Sequence, residues 1–263
     1  MNPLIPVVLN SNGLNVAIKN VATRALFSGI LFIFCIISGC ATNPNANPTD
    51  PFEKYNRNIT TFNDAVDRVA LKPVATVYRD VTPYLVRKGV SNFFDNLEDA
   101  WSFVNGVLQL RPVVATDNFM RTAVNTFFGM GGVLDIASEM GIERHSEDLG
   151  KTMGRWGVPS GPYIVLPIMG PTTLRDALTI IAESKADPVS QTRHIPSRNT
   201  LYTLRALDTR AELLPLTNFL DAAALDKYTF TRDAFLQKRR AEIYRPNQPE
   251  AEKAEDFSKE PTK

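Results

Sequence analysis

Large apolar residues recur at helical spacing from the first folded segment onward. Phe52, Tyr55, Ile59, Phe62, Val66 and Val69 follow one another at alternating intervals of three and four, which sets them on one stripe of one helix. Lys54, Arg57, Asn58, Asp64 and Arg68 fall on the other side. Asp50-Pro51 supplies the start, because Asp can cap a helix and Pro fits its first position. Pro73 predicts the end of this helix, or the start of the next turn, since it has no N–H to donate. Phe52, Tyr55, Ile59 and Phe62 form the candidate stripe, turned toward a core or toward a membrane. Periodicity alone fits both.

The pattern continues as short helices punctuated by proline and by Asn or Asp caps. One covers 74–80. Another begins at Pro83 with Tyr84, Leu85, Val86, Val90, Phe93 and Phe94. Asn96 can cap a fourth, carrying Leu97, Trp101, Val104 and Leu108, and a fifth runs over 112–128. Ser146 is the N-cap expected for a short helix in which Glu147 and Asp148 would favour the helix dipole. The stretch 150–171 is dense in Gly and Pro; 163–166 could be a short extended piece, but flanking prolines make it a poor central strand. Pro171-Thr172-Thr173 starts a helix with Leu174, Leu178 and Ile181 on one face, and two more are expected over 200–214 and 221–243. The fold class predicted is all-α, with little or no strand.

Gly129-Met130-Gly131-Gly132 interrupts the helical pattern. It lacks the last glycine of a dinucleotide fingerprint, where Leu134 stands, and no strand precedes it. A helix-ending turn accounts for one glycine. Three among Phe127, Phe128, Met130, Val133 and Leu134 suggest either close backbone packing or a mobile apolar loop. These four residues are a candidate loop.

The N-terminus changes the picture from a bundle to an exported chain. Residues 1–39 contain Lys19 and Arg24 but no Asp or Glu, and residues 25–37 are apolar. The apolar run could be a buried helix, a secretory h-region or a span, but a span needs about 20 apolar residues. Charge followed by a short apolar run is the pattern of a signal peptide. Ile37-Ser38-Gly39-Cys40 resembles the lipobox of bacterial lipoproteins, in which the cysteine thiol takes a diacylglycerol, the chain is cut before it, and the new amine is acylated. The resemblance implies a mature chain beginning at Cys40, with no other cofactor. Ala41-Thr42 lacks the Asp that holds such lipoproteins at the inner membrane, so it also implies the outer membrane. Four regions follow: a signal peptide over 1–39, a flexible tether over 40–50, a helical domain over 51–245, and a charged, disordered tail over 246–263.

Removing 1–39 leaves 263 − 39 = 224 residues, enough for one substantial domain or two small ones. It takes two of the 29 basic residues and none of the 28 acidic ones, so the formal charge moves from +1 to −1. That balance gives no support for a nucleic-acid partner. Cys35 leaves as well, so Cys40 has no disulfide partner, and His145 and His194 are too few and too separate for a metal centre. Gly157-Val158-Pro159-Ser160-Gly161 is not a nucleophile elbow. No catalytic residue and no metal ligand is assigned.

Asp50-Pro51-Phe52-Glu53 with Asn56-Arg57, then Phe62-Asn63-Asp64, Asp67-Arg68, Asn105 and Leu108-Gln109, stand in one order with the later motifs. Those are Arg121, Asn125, the glycine run, Asp135, Gly154-Arg155-Trp156-Gly157-Val158, Gly161-Pro162-Tyr163, Gly170-Pro171, Arg175-Asp176, Asp226-Lys227-Tyr228 and Phe235-Leu236-Gln237-Lys238-Arg239. With Cys40, this order resembles the VacJ/MlaA family of outer-membrane lipoproteins over residues 50 to about 244. The resemblance implies a ring of short amphipathic helices around a channel, lipid-anchored in the periplasmic leaflet of the outer membrane. It implies that misplaced phospholipids leave the outer leaflet through the ring and pass to a soluble periplasmic carrier, with a trimeric porin holding the ring in place. The alternative is a structural envelope lipoprotein that binds a porin without moving lipid.

Overall fold

Among the described residues, α1 (Glu53–Val66), a π-helical turn (Asp67–Leu71) and α2 (Lys72–Val81) come first. α3 (Tyr84–Leu108), α4 (Pro112–Phe127), α5 (Ile136–Glu139) and α6 (Leu149–Arg155) follow. A hairpin of β1 (Tyr163–Leu166) and β2 (Gly170–Thr173) leads into α7 (Leu174–Ala186), α8 (Ile195–Ala223) and α9 (Lys227–Tyr244). This computed structural model describes residues 49–223 and 225–244. The chain divides into two units, Met1–Phe52 and Glu53–Lys263. Cys40, the segment expected to be a signal peptide, residues 40–48 of the expected tether and the tail expected over 246–263 lie outside the described residues.

Several helices run further than the spacing of caps and prolines suggested. Pro73 does not end the first helix. The backbone widens into a π-turn, where the Lys72 N–H donates to the Asp67 carbonyl, and Pro73 falls in the first turn of α2, where a missing N–H is tolerated. Asn96 caps nothing: α3 runs through it for 25 residues. Its amide instead donates across to Thr126 Oγ1 at 3.0 Å, so a residue with cap chemistry serves as an interhelical tie. Asp148, not Ser146, caps α6, accepting from the Lys151 N–H at 2.8 Å. α8 extends both ends of the segment expected over 200–214, and α9 starts at Lys227 rather than at 221.

The hairpin pairs Tyr163 with Thr173 and Leu166 with Gly170 in antiparallel register. Two strands alone are marginal, and α1 holds them. Asn56 donates its amide to the Tyr163 carbonyl at 3.0 Å and accepts from the Val165 N–H at 2.8 Å. Two turns on, Asn63 donates to the Leu166 carbonyl and accepts from the Ile168 N–H. Thr173 then caps α7, accepting from the Asp176 N–H.

Apolar packing is confined to small clusters. Ala75, Ala211 and Leu214 join α2 to α8, with Tyr78 against them. Tyr163, Val165 and Tyr228 join the hairpin to α9, with Ile59, Phe235 and Leu236 around them. Elsewhere, polar and charged side chains outnumber apolar ones among the buried, described residues. Within the Glu53–Lys263 unit the packing contacts form a closed circuit. It runs α1, β1, β2, α7, α6, α3, α8, α2 and the π-turn, then back to α1. The fold is all-α with a single small hairpin, arranged as a circuit of helices rather than around one central core.

Candidate functional site

α1 turns Asn56 and Asn63 inward onto the hairpin, while Lys54, Asn58 and Thr61 stay exposed. Asn56 is fully buried, whereas Tyr55 and Phe62 of the predicted stripe are 47% and 49% exposed. Ile59 alone of the stripe packs inside, against the hairpin cluster; Phe52, just before the helix, is half-buried. Arg57 lies over the Tyr228 ring at 4.3 Å and donates from Nη2 to Asp226 at 2.9 Å. Arg57 thus ties α1 to the start of α9. The two carboxylates it bonds, Asp226 and Glu53, raise its pKa above the ordinary guanidinium value, against burial.

The same reversal holds across the next helices. Val74, Val77 and Val81 on α2, Tyr84, Leu85 and Val86 at the start of α3, and Val113, Phe119 and Phe127 on α4 are all exposed. Single exposed apolar residues are ordinary, but a succession of large ones over consecutive helices marks a lipid or protein contact. No helix among the described residues is long and apolar enough to cross a membrane.

Ion pairs hold the interior together. Arg121, 2% exposed, joins α4 to Asp99 of α3 at 3.0 Å and to Asp135 at 3.0 Å. It also donates to the Ile142 carbonyl at 2.8 Å. Burial pushes the Asp135 carboxyl up, but hydrogen bonds from Ser138 and Asn125, and the charge of Arg121, hold it at about 2. On the other side, Arg239 of α9 grips Asp148 and Asp176 together. Burial disfavours its charge, yet the two carboxylates hold its pKa above the usual guanidinium range. Glu147 is not a helix-dipole residue. It is buried and takes hydrogen bonds from Arg111 and Gln109.

Between α3, α7 and α8 lies a cavity of about 360 Å³. Phe94, Leu97, Trp101 and Ile180 give it apolar walls. Asp95 and Glu98 from α3, Glu183 and Asp187 from α7 and its end, and Asp208 and Glu212 from α8 line it as well, with Arg205 as its one lining cation. Burial pushes the Asp95 carboxyl up, against the pull of Arg144, and pushes Glu183 up, against a hydrogen bond from the Leu149 N–H. Asp208 accepts from Tyr78 Oη at 2.9 Å and from Ser91 Oγ at 2.8 Å. Burial and that carboxylate together push Tyr78 up to about 12. No three Asp, Glu, His or Cys residues among those described are placed to hold a metal ion.

The glycine run closes α4. Met130, Gly131 and Gly132 all have positive φ, at 54°, 74° and 95°. A Cβ on Gly129 would strike the carbonyls of Asn125 and Leu134, and one on Gly132 would sit 2.7 Å from the Asn96 side chain. Asn96 lies on the opposite face of α3 from Phe94, Leu97, Glu98 and Trp101, which line the cavity. Met130, Phe127 and Phe128 at the other side of the turn are exposed.

The matches to known proteins follow this architecture. The model of the MlaA lipoprotein family covers residues 48–242. The chain belongs to the MlaA lipoprotein family. The intermembrane phospholipid transport system lipoprotein MlaA of Escherichia coli K12 is 34% identical over 209 residues, covering 77% of this chain and 82% of that one. The protein of the same name from Haemophilus influenzae is 31% identical over 224 residues, covering 82% and 88%. An uncharacterised protein of Rickettsia typhi is 30% identical over 198 residues, covering 75% and 79%. A chain solved to give the structural basis for maintenance of bacterial outer membrane lipid asymmetry superposes with a TM-score of 0.64 at 34% identity, covering 72% of this MlaA-family chain and 96% of that one.

Of the predicted site residues, the structure packs Gly132 against Asn96, on the side of α3 away from the cavity, and leaves Tyr55 and Phe62 exposed. Sequence reading missed the cavity lining. Its signal was there: acid pairs at helical spacing, Asp95 with Glu98, Glu183 with Asp187 and Asp208 with Glu212, sit in three distant segments.

Proposed function

We propose that this chain is a lipid-anchored outer-membrane protein that removes misplaced phospholipid from the outer leaflet and passes it on across the periplasm, so maintaining lipid asymmetry. The observation that carries the reading is the reversed polarity of the helices. Apolar side chains face outward over α1 to α4, while charged side chains and a carboxylate-lined cavity lie within the helical circuit. Such a body is stable where its outside meets acyl chains and its inside stays polar. Intermembrane phospholipid transport in the named relatives supports the same reading.

Acylation of Cys40 would anchor the chain to the periplasmic leaflet, each buried CH₂ contributing about 0.8 kcal/mol. Together with the absence of a spanning helix among the described residues, this favours a protein embedded in one leaflet. The motif order supports a trimeric porin and a soluble periplasmic carrier as partners. The glycine run is the proposed loop beside the lipid path. Deleting the gene should raise the phospholipid accessible to phospholipase added outside whole cells, and wild-type protein should reverse it. Unchanged outer-leaflet phospholipid would favour a scaffold that binds a porin without moving lipid.

A further inference from the structure

We propose that the cavity between α3, α7 and α8 receives the ammonium end of a phospholipid headgroup, so that amine-bearing phospholipids are carried in preference to anionic ones. The inference rests on the phospholipid path proposed above and names the lipid class that the path selects.

The first ground is charge. Carboxylates outnumber arginines in the cavity lining; Arg205 in that lining and Arg144 nearby are already engaged, and Arg87, close to Tyr78, does not line it. Arg205 gives two hydrogen bonds to Asp187 and lies over the Phe94 ring at 4.9 Å. Arg144 is shared among Asp95, Glu98 and Asp99. Glu212 has no ion pair or hydrogen bond among the described residues. Asp208 and Glu212 stand one turn apart on α8, as Glu183 and Asp187 do at the end of α7. Like charges at that spacing repel and destabilise a helix. A cation entering the cavity relieves the repulsion on each element.

The second ground is the kind of cation. Phe94 and Trp101 bring aromatic rings to the same cavity, and aromatic faces attract ammonium groups. Trp101 adds a donor: its indole N–H is buried and has no acceptor among the described residues. A buried donor left without a partner destabilises the fold. A phosphate oxygen would satisfy it. A headgroup carrying an ammonium and a phosphate on one short chain therefore meets both needs, carboxylates for the positive end and the indole for the negative. The volume lies within the range of small-ligand sites, about 300–1,000 Å³. An anionic headgroup such as phosphatidylglycerol offers the phosphate but no positive charge, and meets the carboxylates with repulsion.

Native mass spectrometry tests this on the full-length lipidated protein in mixed micelles of equimolar dioleoyl phosphatidylethanolamine and dioleoyl phosphatidylglycerol. The wild type should retain phosphatidylethanolamine over phosphatidylglycerol by about fivefold or more, the scale of a single charge contact at about 4 Å that stays fully solvated. Glu212→Lys changes an exposed side chain with no partner among the described residues, so folding should be intact, and the ratio should fall to parity or invert. Glu212→Gln should lie between. Equal retention of the two lipids by the wild type, or a ratio unmoved by Glu212→Lys, overturns the headgroup inference and leaves the phospholipid path standing. Retention of neither lipid overturns the path itself, and the inference with it.

Discussion

Arg121→Met removes the cation at the centre of the α3–α4 packing. The side chain is 2% exposed, and it bridges Asp99 and Asp135 at 3.0 Å each. Methionine fills much of the volume but leaves both carboxylates facing an apolar group. Breaking a buried pair by deleting one partner costs about 3–5 kcal/mol. The lower end applies here, because Asp99 keeps Arg144 at 2.9 Å and Asp135 keeps Ser138 and Asn125. For a domain of this size about 3 kcal/mol corresponds to a fall in Tm of roughly 6–12 °C. The effect is also pH-dependent. Asp135 titrates at about 2 in the folded state, against about 3.9 unfolded. Its contribution is therefore fully present above about pH 4 and is lost as the pH falls through 2. Losing Arg121 raises the folded pKa toward the unfolded value, so the variant should lose less stability than the wild type between about pH 4 and pH 2, and the gap in Tm should narrow in acid. Circular-dichroism melts of the detergent-solubilised protein at pH 7 and near pH 3 measure both effects. A variant melting within about 2 °C of the wild type at pH 7 would refute the view that this pair is buried and structural.

Three further outcomes follow from particular residues. Cys40→Ser should abolish incorporation of radiolabelled palmitate and leave an uncleaved precursor; label entering the variant would mean that another residue is acylated. Asn56→Ala removes the two bonds that Asn56 makes to the hairpin, leaving those of Asn63, and should cost about 2–4 kcal/mol, read as a lowered denaturation midpoint. Gly132→Ala, which brings a Cβ to 2.7 Å from Asn96 at positive φ, should destabilise more than Gly131→Ala, whose Cβ would meet nothing within 4 Å. If Gly131→Ala keeps its Tm but raises outer-leaflet phospholipid, the loop's mobility serves transport.

Much of the helical content was legible because proline and apolar spacing mark helices locally. 112–128 is nearly α4, and 74–80 lies within α2. What could not be read was where caps are overridden. Asn96 and Ser146 have cap chemistry, but interhelical partners on Thr126 and Glu98 take their side chains, and those partners are distant in sequence. Pro73 hid a continuous helix because a π-turn absorbs the missing donor. The direction of the first stripe was hidden for a different reason. A helix reads alike with its apolar side on a core or on acyl chains, and only the burial of Asn56 and exposure of Phe62 decide between them. Acidic residues of the cavity look like ordinary solvated helix faces until α3, α7 and α8 bring three pairs together.

The reversed polarity of the helices is tested most directly by single nitroxide labels on the protein in outer-membrane vesicles. Cys40 is the only cysteine after residue 39, so once it is acylated one introduced cysteine labels uniquely. Labels at Val77, Leu85 and Phe127, which are 60%, 80% and 81% exposed, should collide with dissolved oxygen far more than with an aqueous nickel chelate. A label at Glu212, in the carboxylate-lined cavity, should show the opposite preference. Nickel access at the three apolar positions equal to that at Glu212 would place those faces in water and contradict an embedded helical circuit with a polar interior.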